Sequence, residues 1–411
     1  MPDFSHQSPG DPLPPEEVFE SDDFEPASLR SSNVRSELRD SENPYVEPLH
    51  AADVVVATEV PGPGFWEAWL WFFGFLMVHV IGGVLTAVVL LIYAIATSGI
   101  SLGDRQGFQT LLKETFSPES IVLILGEMGF FLLTAVSVSL FRIGRQPLRK
   151  LGTAVIRPTH LALIVAGAFP LMLFCGGLHN HLNNAWTELL QQVPALQFLD
   201  STNTNTFMTH LKDVPFILLV LAIAVGPAVG EEIVFRGVIG RGLTARYGIV
   251  VGVLLTSCFF AAAHVHPAHA LAVLPLGIYV HVTYLATRSW LAPVLVHFIN
   301  NSMAIVMLKM ADRLKDNEIA DDAAQPVWVM IVAGIIAFAA ATALWKTRIE
   351  YIQEDGEPWC PGHATVERPP VGVSAVPALR TTNGALYGAA LVSACFMTGA
   401  FIMGIAAALV R

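Results

Sequence analysis

Apolar residues fall in long blocks along the chain, at 69–96, 120–141, 159–178, 214–243, 248–265, 268–287, 291–309, 327–345 and 384–410. Each is about long enough to cross the ~30 Å hydrocarbon core of a bilayer as a helix. The pattern predicts an all-α fold, a polytopic membrane bundle of eight to nine transmembrane helices. The fourth block is long and parts from the fifth at Tyr247–Gly248, where Arg246 closes a last turn and glycine supplies a helix stop. Polar residues from His179 to Asp213 predict a loop, with an amphipathic piece around Trp186–Gln192. A Pro-rich loop is expected over 346–383. Four regions follow: a tail, 1–62; N-terminal membrane helices with the polar loop, 63–213; a central membrane core, 214–310; and C-terminal membrane helices, 311–411.

Composition fits this reading: 54% of the 411 residues are hydrophobic, 14% are charged, and the mean hydropathy is +0.57. The charge is local, because residues 1–60 hold fourteen Asp/Glu and three Lys/Arg, an imbalance equal to the net charge of −11. Such a segment cannot bury enough apolar surface to fold, so an acidic disordered tail is expected, and its sign excludes nucleic acid as a partner. No cleaved signal peptide is expected, and the first membrane helix acts as its own signal. Of the Lys/Arg in alternate loops, thirteen lie on the side of 142–158, 235–247, 288 and 346–383, and six on the other. The positive-inside rule puts the first set and the tail in the cytoplasm, as expected of a multi-pass protein of a cell (inner) membrane. Three of the four cysteines, Cys175, Cys258 and Cys395, lie in apolar stretches as small hydrophobes, and Cys360 with His363 makes at most half a metal site.

Against this background Glu231, Glu232 and Arg236 stand out. Ionisable side chains within a membrane helix are costly and mark functional sites by default. Glu232 and Arg236 are i,i+4 neighbours in the favourable order, which leaves Glu231, ~100° around the helix, free for chemistry. Two polar interruptions follow, Phe260-Ala261-Ala262-Ala263-His264 and His297-Phe298-Ile299-Asn300-Asn301. In an antiparallel hairpin turning at Tyr247–Gly248, Glu231 and His264 lie opposite each other. A buried carboxylate beside an imidazole can activate water, while His297 and Asn301, on one helix face, can donate to an oxyanion. Base and oxyanion donors together mean acyl hydrolysis.

Glu-Glu-x-x-x-Arg at 231–236, Phe-x-x-x-His at 260–264 and His-x-x-x-Asn at 297–301, in this order, resemble the CAAX-protease and bacteriocin-processing family of intramembrane proteases, which includes the type II CAAX prenyl endopeptidases. The resemblance covers about 214–310, including Phe235-Arg236-Gly237 and Trp290…Pro293, and implies a peptide hydrolase acting on a membrane-associated protein or peptide. It implies that Glu231 and His264 activate the water, that His297 and Asn301 form the oxyanion hole, and that Glu232 and Arg236 support them. A ninth helix, the acidic tail and the 346–383 loop depart from the family core of about eight helices.

Alternatives use the same residues. No cofactor is expected, but Glu231, His264 and His297 could instead hold a catalytic Zn2+; His-Glu-x-x-His is absent from the chain. A non-catalytic immunity or scaffold protein would keep the fold and bind a partner through the cavity. A transporter would build an ion site from Glu231, Glu232 and Glu127, without the repeat symmetry such folds show. Glu127 is expected to be a packing partner, His79 to lack a companion, His266 and His269 to lie in a loop, and His281 to be a structural hydrogen bonder. Gly226…Gly230 and Gly237…Gly242 read as close helix packing.

Overall fold

The computed structural model describes residues 60–100, 104–116, 121–202, 211–315, 326–359 and 363–378. The helices are α1 (Phe65–Ser98), α2 (Arg105–Thr115), α3 (Ile121–Ile143), α4 (Pro147–Leu151) and α5 (Pro158–Gln192), then α6 (216–247) and α7 (249–262), and α8 (Pro267–Thr287), α9 (Leu291–Lys315) and α10 (Val327–Lys346). Among the described residues, seven continuous helices are long and apolar enough to cross a membrane, with Phe216–Ala262 counted as one. That one reverses at Gly248, whose φ of 77° and ψ of 171° are open to glycine and not to a helix. Gly252 then packs on Thr244, where a Cβ would meet backbone at 2.5 Å. Two antiparallel arms thus replace one rod, as the sequence predicts at this position. The expected disordered tail and the ninth helix, 384–410, lie outside the described residues, as do Cys360 and Cys395.

Two glycines bring α3 onto α6. A Cβ on Gly226 would lie 2.5 Å from Met128, and one on Gly230 2.3 Å from Phe131. Without them the helices could not meet where Glu231 begins. Phe75 of α1 closes the same core against Phe131 and Phe235, at ring distances of 5.5 and 5.0 Å. On the other flank α5, α8 and α10 share Leu163, Ile164, Leu171, Leu276, Tyr279 and Ala337. The remaining seam joins α9 to the start of α6 through Ile305, Leu219 and Ala224.

The structure corrects three sequence expectations. His179–Gln192 is not loop: α5 continues without a break for 35 residues, because Asn, Trp, Thr, Glu and Gln are compatible with a helix that has left the bilayer. The loop after α10 contains strands β1 (Ile349–Ile352) and β2 (Ser374–Pro377), paired antiparallel. Arg288 holds that loop by donating to Ile349 O at 2.8 Å and Thr365 O at 2.9 Å, and Arg157 donates to Ala375 O at 3.1 Å. His79 has a companion after all: its Nδ1 lies 2.5 Å from Glu127 Oε1, across α1 and α3. Each group answers the other's need for a partner in hydrocarbon, so Glu127 is the packing partner expected of it. The amphipathic α2, capped by Asp104 through the Gly107 N–H at 3.0 Å, is too short and polar to show as an apolar block.

Candidate active site

Helix α6 is widened twice into π-helical turns, at Val220–Val225 and Ile233–Gly240, on either side of the glutamates. Such turns often mark functional positions. The first has a local cause. Pro227 has no N–H to offer Ile223 O four residues earlier, so the helix widens and that carbonyl turns outward. Asn301 Nδ2 on α9 donates to it at 2.8 Å. Asn301 Oδ1 accepts from Asn300 Nδ2 at 3.1 Å, so the amide is fixed from both sides. One of its N–H bonds is left over for a ligand.

The predicted pair between Glu232 and Arg236 is present, with Arg236 Nη1 donating to Glu232 Oε1 at 2.8 Å and both side chains fully buried. The same oxygen accepts from His297 Nδ1 at 2.8 Å, a contact that spacing alone does not suggest. Arg236 Nη2 donates to Gly277 O of α8 at 3.0 Å, and the guanidinium lies 4.4 Å over the Phe260 ring. Glu232 and Arg236 therefore join α6, α8 and α9, with Phe260 of α7 covering the pair. A buried ion pair needs such added bonds, and here they meet only part of its capacity: among the described residues Glu232 Oε2 and Arg236 Nε are buried without a hydrogen-bond partner.

Phe260 links the three sequence motifs. Its ring meets Arg236, His264 at 5.2 Å and His297 at 5.7 Å. His264 lies just past the end of α7, and its Nδ1 donates to Phe260 O at 3.0 Å. A carbonyl can only accept, so the Nδ1 of this ring carries a proton and Nε2 of the neutral form is a free base. His264 is within electrostatic range of Glu231 and His297, and Glu231 also acts on Arg236. Glu231 is half-buried, while His297 is buried. His264 and His297 thus flank the Phe260 ring, and Asn301 lies one turn along α9 from His297. Among the described residues no three His, Cys, Asp or Glu side chains are grouped as a metal site.

Of the two histidines assigned to a loop, His266 lies in the turn before α8, as expected, and His269 belongs to the helix. His266 is buried and caps α8, its Nδ1 accepting from the His269 N–H at 3.4 Å. His269 is in the first turn of α8, with its ring 4.9 Å from His264 and 5.3 Å from His179 of α5. His-x-x-His beside Pro267 is a capping pattern, and that signal could have placed His269 on a helix. The contribution of His179 could not be read, because it depends on the polar continuation of α5. His281 is buried against Gly240.

Depth follows from α8, which spans ~31 Å at ~1.5 Å per residue. The Arg236–Gly277 bond lies about 15 Å from the Arg288 end of that helix, and His269 within one turn of the other end. The Glu232–Arg236 pair therefore lies near mid-helix, and His264 and His269 at the end of the bundle away from the Arg-rich loops.

Residues 213–303, which hold all three motifs, match the family model described as type II CAAX prenyl endopeptidase Rce1-like. The protein named Putative membrane peptidase YdiL, from Bacillus subtilis (strain 168), is 28% identical over 108 residues, 26% of this chain and 43% of that protein. The chain thus spans less than half the length of this relative. No solved structure matches the chain. The matched segment is the set of central helices of a chain with seven described helices long and apolar enough to cross a membrane.

Proposed function

We propose that this protein is an intramembrane endopeptidase that hydrolyses a peptide bond of a membrane-associated protein or peptide. The observation that carries the reading is the arrangement around Phe260, where one ring touches Arg236, His264 and His297 within a segment that matches a peptidase family. The named activity of the Bacillus relative agrees with it.

In this reading the free Nε2 of His264 and the Glu231 carboxylate take a proton from water as its oxygen attacks the scissile carbonyl. The carbonyl becomes a tetrahedral oxyanion, and the remaining N–H of Asn301 donates to it. His297 has its Nδ1–H on Glu232, so it donates to the oxyanion from Nε2 when the ring carries both protons. The captured proton passes to the leaving amine as the C–N bond breaks. Glu232 and Arg236 hold His297 and Phe260 in place.

His264 and His297 commit Nδ1 to Phe260 O and Glu232, which leaves each Nε2 for proton transfer in the metal-free mechanism we favour, and equally for a Zn2+ shared with Glu231. The positive-inside rule puts the Arg-rich face and the acidic tail in the cytoplasm, so the site opens on the opposite face.

Purified protein in liposomes, given a membrane-tethered peptide, tests the proposal. Glu231→Gln and His264→Ala are expected to fold and not cleave, and wild-type turnover by either overturns the mechanism. Asn301→Ala is expected to slow turnover by ~10²–10³, the usual cost of an oxyanion donor. Loss of activity in a chelator, restored by zinc, would favour the metal form. Full biological complementation by Glu231→Gln would favour a non-catalytic immunity or scaffold role.

A further inference from the structure

His264 is placed precariously for a residue that has to aim one nitrogen. The last α-helical residue of α7 is Ala262, and beyond it position 264 is held only by a 3₁₀-type turn, with the His264 N–H on Ala261 O and the Val265 N–H on Ala262 O, each at 3.1 Å. Val265, next in the chain, has φ 61°, a left-handed conformation that a β-branched residue adopts only under constraint. The His266 N–H then folds back to His264 O at 2.6 Å. The imidazole's polar contacts are with its own helix end, Nδ1 donating to Phe260 O at 3.0 Å beside the Ala261 carbonyl.

Rings from two other helices supply the missing constraint. His264 is held between Phe260 at 5.2 Å, edge to face, and His269 at 4.9 Å, tilted by 53°. His269 is backed by His179 at 5.3 Å with an interplanar angle of 84°. Below it His266 caps α8 and meets Trp186 of α5 at 5.9 Å, while its Nε2 lies 3.8 Å from Asp200 Oδ1. The polar end of α5 thus reaches the strained turn at two points, through His179 and through Trp186. This accounts for a helix that runs well past the thickness of a bilayer.

We propose that His269 and His179 are positioning residues, an aromatic brace by which the extended end of α5 fixes the ring plane of His264. The brace rests on the endopeptidase reading only for its consequence in turnover, since the ring geometry stands without it. It acts by contact between ring faces and edges, so any flat ring of similar size at 269 serves.

The test uses the full chain in liposomes with His269→Ala, His269→Phe and His179→Ala. Two quantities are read: kcat and KM on a membrane-tethered peptide, and the rate at which diethyl pyrocarbonate acylates His264, followed by peptide mass spectrometry. In His269→Ala, kcat is expected to fall roughly 10²-fold, the cost of a ~1 Å misplacement, with KM unchanged. Acylation of His264 is expected to quicken, and His269→Phe to restore both values toward wild type. His179→Ala, one contact removed, is expected to move both in the same direction by less, and it decides the matter should His269→Ala fail to fold. Unchanged kcat and acylation in both alanine variants overturn the proposal, as does His269→Phe behaving like His269→Ala. A wild-type protein that cleaves nothing would instead overturn the endopeptidase reading, and the acylation rates would still decide the brace.

Discussion

Glu232 carries more of the site than its neighbour does. One of its oxygens serves Arg236 and His297 together, so losing either partner leaves a buried charge less well paired. Arg236→Ala removes the guanidinium from between Glu232, Gly277 O and Phe260, and is expected to cost about 3–5 kcal/mol, as broken buried ion pairs do. Thermal unfolding in detergent measures this, and a transition within a degree of wild type would contradict it. Sequence revealed the half of this arrangement that obeys helical spacing, since an i,i+4 acid and base announce each other. The bond from His297 spans 65 positions, and the His79–Glu127 pair spans 48. Contacts of that kind depend on which helices become neighbours, and periodicity along a single helix does not report this.

At the level of elements the hairpin of α6 and α7 was the most legible part, because a charged last turn followed by glycine has one ready interpretation and Gly248 adopts the conformation it requires. The π-helical turns were not legible as such, although Pro227 is their visible cause in the first case. The full length of helix α5 is not legible in the sequence, because polar residues from His179 onward interrupt the apolar pattern without ending the helix. Close approach of α3 to α6 depends on Gly230, whose missing Cβ would lie 2.3 Å from Phe131 Cε1 and 2.8 Å from its Cζ. Gly230→Ala is therefore expected to destabilise by about 1–3 kcal/mol through overpacking, despite the better helix propensity of alanine. It should also lower turnover, since Glu231 is the next residue. An equal or raised unfolding temperature would show that Phe131 can move aside at no cost.

The whole molecule has two unlike faces. One gathers Arg149, Arg157, Arg288 and Arg368, much of whose hydrogen bonding holds chain segments together: Arg149 donates to Arg368 O at 3.2 Å, as Arg157 and Arg288 do to the sheet-bearing loop. The other carries His179, Asp200 and the cap of α8 around the site. If the first face is cytoplasmic, a cysteine replacing Asp200 in a cysteine-free background reacts with a membrane-impermeant maleimide on intact cells. One replacing Arg368 reacts only after the membrane is opened. The reverse pattern would turn the site toward the cytoplasm and require the acidic tail to be translocated.

The short arm α7 has a consequence for the bilayer itself. Its outward face is apolar, with Val250, Val251 and Leu254 exposed, so lipid chains lie against it. Yet about 14 residues rise only ~21 Å, some 9 Å less than the hydrocarbon is thick. Lipids beside α7 must shorten to match it, at a fraction of a kcal/mol per Å. In a bilayer the headgroup layer and its water would dip inward at that flank, toward the level of Ala262, where α7 ends just before His264. On the endopeptidase reading, a site that lies deep when measured along α6 would be shallow when approached past α7, and hydrophobic mismatch would give water a route to His264.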